Sequence, residues 1–571
     1  MYQSQVDQDT EQAMSAEVGG QLEVVTAPRS LFGPDYARLA VLVLVAVGIH
    51  GWLISHTAVP ARDGLTFARF ALSFSDPNAG SDSTVPRQRI EVIRSAEQPP
   101  GYPFAIWVTE IVLRRVCDLP TPDRSLLASQ IANAMGAVLL VVPMYLIGRM
   151  LFGRNVGFAG AMLFQVLPVP ARVTSDALSE GIYLAAAATA VMLGVRASRL
   201  PGIGGFLLCG LAVGCSYLVR PEGLLIGAAV GMVVVAAGLT RSWPRDAALG
   251  RLTALCVGVA LVAVPYMVLI GKITNKPTSD TILRNPWDDQ PGRPIWTGQP
   301  GVCAPKPATP LFAAWWDPKV DEGKSRILWA ARAVWSEMIK ALHYVVGALT
   351  LFALFVHRRR LFYGDWGLWV PITLSGIMLL LLLFLAARVG YVSERHTVLL
   401  VMLCCILGAS AIQPLTDAFA KIPVLGRLII WPAAAPAVLF LAIVCSALPY
   451  TLKPMHPHRE GHKHAGRWLA GQISDKDWLQ DPLAWAEFYA GRTLYKTVSY
   501  PGEPEYIWIV IEKGKSSPHS RLPQWDDAKQ RVTGQTPVYR WPENASPDEP
   551  AVEVYKLRHK AVTATNPPKA P

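Results

Sequence analysis

Apolar runs of membrane-spanning length recur along the chain between residues 37 and 449, separated by short polar or charged turns. A run of about twenty residues crosses a hydrocarbon core about 30 Å thick. The pattern predicts spans over 37–55, 126–148, 156–173, 178–195, 204–219, 223–239, 252–271, 338–356, 367–387, 397–413 and 428–449. The segment 102–113 is different. It follows two prolines, is interrupted by Glu110 and closes on Arg114-Arg115. At 1.5 Å per residue it reaches only about 18 Å, so it is expected as a helix at the membrane surface rather than a span. It then belongs to a large first external loop, 56–125, with a second loop rich in Pro, Trp and Gly over 272–331. Beyond residue 450 the pattern changes: 461–471 reads as a helix, and 506–512 (YIWIVIE) and 552–557 (VEVYKL) read as strands. The expected fold class is a polytopic α-helical membrane protein of about eleven spans. It divides into a disordered cytoplasmic tail (1–35), a membrane domain (36–450) and a small α/β extracytoplasmic domain (451–571).

Composition agrees with this reading: of 571 residues, 51% are hydrophobic and 17% charged. A net charge of +11 would suggest nucleic acid in a soluble chain, but here arginines gather at helix ends, where orientation explains them. With the N-terminus inside, the short internal loops hold Arg149 and Arg154, Arg196 and Arg199, Arg241, Arg245 and Arg251, and Arg358-Arg359-Arg360. The short external turns hold only Arg172, Arg220, Arg388 and Arg395. This obeys the positive-inside tendency, and counting 102–113 as a span would invert it. The first apolar helix is expected to be an uncleaved anchor, and membrane lipids, not nucleic acid, are the expected surroundings. Most of the eight cysteines lie in apolar runs and no metal-ligand spacing is readable, so no cofactor is expected, with a divalent ion left open. Cys117 and Cys303 fall on the external side, where a bridge between them is conceivable.

Under this topology the external helix ends carry polar groups from distant parts of the sequence to one membrane face. Asp63 follows the first span. Arg172, Asp176 and Glu180 surround the turn between the third and fourth, Arg220 and Glu222 join the fifth and sixth, and Arg395 and His396 join the ninth and tenth. Glu97 and Tyr102 flank Gln98-Pro99-Pro100-Gly101 in the first loop. Such a cluster suits a reaction between an amphiphilic phosphate and a water-borne acceptor. A carboxylate can take a proton from an attacking hydroxyl, and a guanidinium matches a departing phosphate. Asp63 is read as the base and Arg395 as the phosphate ligand, the other eight as substrate-binding. Each has a plainer reading. Asp63 could pair with Arg62 or Arg69, Asp176 could cap the fourth span, Arg220 could pair with Glu222, Arg395 could reach lipid headgroups, and Glu97 could cap the surface helix. Trp287, Trp296, Trp315, Trp316 and Trp329 could stack on sugars, though interfacial anchoring explains them better.

Four stretches carry a resemblance. They are Asp63 with the following 67–74 segment; Gln98-Pro99-Pro100-Gly101-Tyr102-Pro103; Asn133 through Tyr145-Leu146-Ile147-Gly148-Arg149-Met150-Leu151-Phe152-Gly153-Arg154; and Tyr217-Leu218-Val219-Arg220-Pro221-Glu222-Gly223. Ala465-Gly466-Arg467-Trp468-Leu469 and Phe488-Tyr489-Ala490-Gly491-Arg492 extend it into the tail. In order and spacing these resemble the GT-C class of membrane glycosyltransferases, in particular the bacterial branch of aminoarabinose and protein O-mannosyl transferases. The resemblance implies inverting transfer of a sugar from a polyprenyl-phosphate donor to a lipid, glycan or protein acceptor outside the cytoplasm, in a bacterial cell membrane. Two departures stand out. Gly64 follows Asp63 where the mannosyl branch has Asp-Glu, and Gln98 and Gly101 replace the His and Leu of a His-Pro-Pro-Leu-Tyr-Pro stretch. A transporter or flippase for lipid-linked glycans predicts ionisable groups buried mid-span, and apart from Lys340 and His343 the runs lack them. A phosphoethanolamine transferase needs a metal cluster that the tail does not show, whereas an O-antigen ligase stays open.

Overall fold

The computed structural model describes residues 35–77, 89–276, 314–315, 323, 325–362, 365–422, 433–474, 476–492, 494, 504–513, 528–546, 549 and 551–558. The expected tail 1–34, Cys303, and Trp287, Trp296 and Trp316 lie outside the described residues.

Among the described residues, seven helices are long and apolar enough to cross a membrane: Tyr36–Ser55 (α1), Thr121–Phe152, Glu180–Arg199, Pro221–Leu239, Arg245–Ile270, Trp366–Val389 and Glu394–Ala420. Two further pairs pass only when taken together, Arg154–Val166 with Pro168–Ser175, and Arg326–Ala341 with Val345–Val356. Gly204–Val219 and Ala435–Thr451 are apolar but shorter. The expected eleven spans are reached only by counting all of these.

The run 156–173 is not one straight helix. It bends by 65° at Leu167, where Pro168 and Pro170 remove backbone donors and start a new helix. The run 338–356 also fails as one helix, because the chain turns by 106° at His343 and Tyr344, both in the left-handed region (φ 50° and 56°). The amphipathic helix before that bend, Arg326–Ala341, begins inside the expected loop 272–331. It buries Ala330, Ala333, Val334, Glu337 and Ala341 and exposes Ile327, Leu328 and Trp335. Thus Lys340, expected early in a span, sits just before a break and pairs with Glu337 at 2.5 Å.

The segment 102–113 forms a helix, Gly101–Val116, of 16 residues. At about 24 Å it remains short of a bilayer core. Glu110, buried inside it, accepts from Arg114 and Arg124 at 2.8 Å each, while Phe104, Val108, Val112 and Val116 leave an apolar stripe exposed. The helix packs on Asp63–Ser75 (α2) and on Thr121–Phe152. Helices elsewhere approach closely through small residues: a Cβ at Gly210 would lie 2.9 Å from Gly258 Cα, where Gly204–Val219 meets Arg245–Ile270.

At the end where α1 begins, buried Asp35 pairs with Arg149 (2.8 Å) and Arg154 (3.2 Å), and Asp365 pairs with Arg199 and Arg360. The 20 residues of α1 place this arginine-rich end about 30 Å from Asp63.

The tail holds a four-stranded sheet, from Trp478–Gln480 (β1), Tyr506–Lys513 (β2), Tyr539–Trp541 (β3) and Ala551–Arg558 (β4), in the order β1-β2-β4-β3. The first pair is parallel and the others antiparallel. Helices Glu460–Ala470 and Trp485–Tyr489 accompany it. Val59, Leu65 and Ala68 of the first loop and Leu126 share one apolar cluster with Trp485, Phe488, Ile507 and Ile509 of the tail. The tail and the loop that carries Asp63 therefore fold on a common core.

Candidate active site

The expected external turns do converge. Asp63 opens α2, Glu180 opens Glu180–Arg199, Arg220 follows Gly204–Val219, and Arg395 lies in a 3-10 turn, Glu394–Thr397, ahead of Val398–Ala409. Arg395 Nη1 donates to Asp63 Oδ2 at 2.6 Å, and its Nε donates to Glu180 Oε1. Arg220 Nη1 donates to the same Glu180 oxygen at 2.7 Å. Behind it, Glu222 lies 3.6 Å from Arg220 and accepts from Lys276 at 3.0 Å. Five sequence-distant segments thus meet in one chain of alternating charges.

Arg395 is the partner that Asp63 takes, in place of Arg62 or Arg69. Burial works against ionisation of Asp63, yet the Arg395 guanidinium, with Arg62 and Arg220 beyond it, holds its carboxyl below the usual carboxylate range. Its side chain is 36% exposed, against 3% for Glu180, so Asp63 is the member of the pair that opens outward.

The opening is a cavity of about 350 Å³, lined by Arg62, Asp63, Arg69, Glu97, Gln98, Arg220, Lys276, Arg395 and His396, with Ala484 of the tail at its rim. Its lining carries more cations than carboxylates, which favours an anionic ligand. A smaller groove of about 60 Å³ shares Arg220, Arg395 and His396 with it and continues along Met378, Leu381, Leu382 and Leu385. One side of this guanidinium pair is therefore polar, and the other is mainly apolar, with Glu180, Tyr183 and Glu222 also in its wall.

Of the remaining expected site residues, Glu97 lines the large cavity and His396 lines both. The His396 Nδ1 accepts the Ser393 amide at 3.2 Å, which leaves its Nε2 to carry the proton. Glu222 is absent from the wall of the large cavity but lines the smaller groove. The structure does not bring Tyr102, Arg172 or Asp176 to the cavity wall. Tyr102 is fully buried and its hydroxyl donates to Ser129 O at 2.8 Å, while Arg172 donates to Pro454 O at 3.1 Å. Ser179, not Asp176, is the N-cap of Glu180–Arg199, and the Asp176 carboxylate accepts from the Ala61 amide (2.7 Å), the Ala177 amide (2.8 Å) and His456 Nε2 (2.8 Å). Burial opposes its ionisation, but His456, Arg459 and the Ala61 amide keep its carboxyl low.

Lys276 and His456 were not singled out by sequence reading, and Arg69 entered it only as a possible partner for Asp63. Lys276 comes just after Asn275, whose side-chain amide donates to Arg94 O and Ala96 O and so ties the second loop to the first beside Glu97. Only its place directly after a span could have flagged it. Among the described residues no group of three His, Cys, Asp or Glu side chains could hold a metal ion.

The two glycines among these departures sit at close approaches. A Cβ at Gly64 would stand 2.5 Å from Ala177 Cβ, and one at Gly101 would stand 2.7 Å from Leu218 O. A larger residue at either place would push the first loop away from the turns that carry Glu180 and Arg220.

Residues 98–269 match the family model described as dolichyl-phosphate-mannose-protein mannosyltransferase. The apo structure of ArnT from Cupriavidus metallidurans superposes with a TM-score of 0.55 at 12% identity, over 91% of this chain and 98% of that one. The chain has the GT-C fold. Archaeal oligosaccharyltransferase AglB from Archaeoglobus fulgidus, in complex with an inhibitory peptide and a dolichol-phosphate, superposes with a TM-score of 0.50 at 13% identity. That match covers 83% of this chain and 62% of AglB, so this GT-C chain spans less than two thirds of that relative. A comparison with curated proteins gave no match.

Proposed function

We propose that this GT-C protein transfers a sugar from a polyprenyl-phosphate donor to an acceptor outside the cytoplasm, with inversion at the anomeric carbon. The observation that carries the reading is the position of Arg395 and Arg220 between a polar cavity and an apolar groove. A lipid phosphate needs both: permanent planar donors for its oxygens and a hydrocarbon wall for its chain. The family description of residues 98–269 names such a donor.

In this reading the acceptor hydroxyl attacks the anomeric carbon as the bond to the phosphate oxygen breaks, and the departing phosphate collects charge beside Arg395. Asp63 takes the hydroxyl proton, a role worth about 10²–10⁴-fold in rate. A phosphate arriving at Arg395 competes with its two carboxylates. Asp63, the more exposed, is the one released to face the acceptor. Glu97 and Lys276 at the rim contact the sugar or acceptor, and Glu180 and Glu222 hold the guanidiniums and Lys276 in place.

The test is transfer of radiolabelled sugar by purified protein in proteoliposomes. Dolichyl-phosphate mannose is the first donor, other polyprenyl-phosphate hexoses and pentoses follow, and an envelope extract supplies the acceptor. The expected result is release of polyprenyl phosphate with label in an acceptor, lost in Asp63→Asn while dolichyl phosphate still binds. Full turnover by Asp63→Asn, or no transfer from any donor of this class, overturns the reading.

A further inference from the structure

We infer that the linker joining the last membrane helix to the tail, residues 452–459, is a strap that positions Asp63, and that His456 is its positioning residue. The inference rests on the reading of Asp63 as the base. Between the end of α1 at Ser55 and the start of α2 at Asp63 the chain has no regular helix of its own. Its backbone is held instead by the linker. Thr57 and Met455 form a parallel bridge, in which Met455 N donates to His56 O at 2.9 Å and Ala58 N donates to Met455 O at 3.2 Å. Trp52 Nε1 donates to Leu452 O at 2.9 Å below this bridge, and Arg459 Nη1 donates to Pro60 O at 3.3 Å above it.

His456 closes the strap onto the membrane domain. The linker passes through the left-handed region at this residue (φ 53°), and the ring donates from Nε2 to Asp176 Oδ2 at 2.8 Å. The other oxygen of Asp176 receives the Ala61 amide, two residues before Asp63, and the Ala177 amide, against whose residue Gly64 is packed. One carboxylate therefore joins three elements: the linker, the first loop immediately ahead of the base, and the turn leading to Glu180. Arg459 carries the connection into the tail by lying over the Trp485 ring at 4.7 Å, within the core that also buries Leu65 and Ala68 of α2. Asp176 has its acceptors engaged in this way and stands outside the cavity wall. The arrangement gives it a positioning part where the sequence suggested a substrate contact.

The strap acts on geometry and not on donor affinity, since none of its residues lines the cavity where Arg395 waits. The test uses full-length protein in proteoliposomes, the radiolabelled polyprenyl-phosphate sugar that the wild type turns over, and dolichyl phosphate as binding probe. His456→Ala is expected to lower kcat by roughly 10–10²-fold, the penalty for a base displaced by about 1 Å. KM for the donor and dolichyl phosphate binding should stay at wild-type values. His456→Gln, whose amide N–H can still reach Asp176, should recover most of the loss. In an Asp63→Asn background His456→Ala should add nothing, because both changes then act through one group. The strap is overturned by a wild-type kcat in His456→Ala. It is equally overturned by a further loss in the double variant, or by joint loss of turnover and dolichyl phosphate binding in both His456 variants. The outcomes separate from those for the base itself: a dead Asp63→Asn with a normal His456→Ala removes only the strap, whereas an active Asp63→Asn removes the base.

Discussion

Gly64→Ala is the smallest change that should disable the site. The added Cβ would lie 2.5 Å from Ala177 Cβ and 2.9 Å from Ala177 O. Carbon atoms rest at about 3.5–4.0 Å, so the start of α2 must withdraw by about 1–1.5 Å. Both obstacles belong to a main chain fixed by Asp176, and neither can swing aside like the end of a long side chain. Overpacking of this kind costs about 1–3 kcal/mol of stability. The displaced residue adjoins Asp63, and a misplacement of about 1 Å can lower turnover by about 10²-fold. The assay is paired: thermal unfolding in detergent, and turnover of the polyprenyl-phosphate sugar that the wild type uses. Ala177→Gly in the same chain removes the nearer clash but leaves the carbonyl oxygen, so recovery should be partial. Wild-type turnover and unchanged melting in Gly64→Ala would refute the reasoning that close approach sets the position of the base.

Three further outcomes are expected. Arg395→Gln removes the charge that keeps the Asp63 carboxyl low and leaves burial to raise it, so the acid limb of the residual pH–rate profile should move to higher pH, and less so in Arg395→Lys; an unmoved limb refutes the pairing. Tyr102→Phe should lower stability by about 1–2 kcal/mol through loss of the bond to Ser129 O and leave donor KM unchanged, and a raised KM would return Tyr102 to the substrate. Asp176→Ala leaves the Ala61 and Ala177 amides and His456 without their acceptor and should destabilise the fold by about 2–4 kcal/mol. The Asp176 carboxyl is held low in the fold, so this contribution is present above the ordinary carboxylate pKa. It should fade as the pH falls below that value, and melting curves against pH would show it.

The sequence made the convergence of Asp63, Glu180, Arg220 and Arg395 legible because span counting brings alternate turns to one face, and orientation by arginine chose that face. It also set 102–113 apart, since Glu110 interrupts that run and Arg114-Arg115 closes it, whereas the equally long helix Gly204–Val219 carries no charge. What pairs with what was not legible. Arg62 and Arg69 are near Asp63 in sequence, yet Arg395 takes it, because the 3-10 turn after Tyr391–Val392 delivers that side chain from across the bundle. The bend at His343 and Tyr344 gave no warning, as neither proline nor glycine marks it. Asp176 looked like a cap because it precedes a helix. Its true partners, the Ala61 amide and His456, lie far away in the chain and meet it only through tertiary packing.

The Arg459 bond to the first loop joins residues 399 positions apart. During synthesis the acidic group at position 63 is thus inserted long before the histidine and arginine that fasten it exist. A nascent chain halted ahead of the linker already presents its lipid-facing helices, yet lacks the buttress for the reacting carboxylate. Under the proposed mechanism, competence for sugar transfer arrives with the last fifth of the polypeptide, and unfinished copies leave the donor untouched.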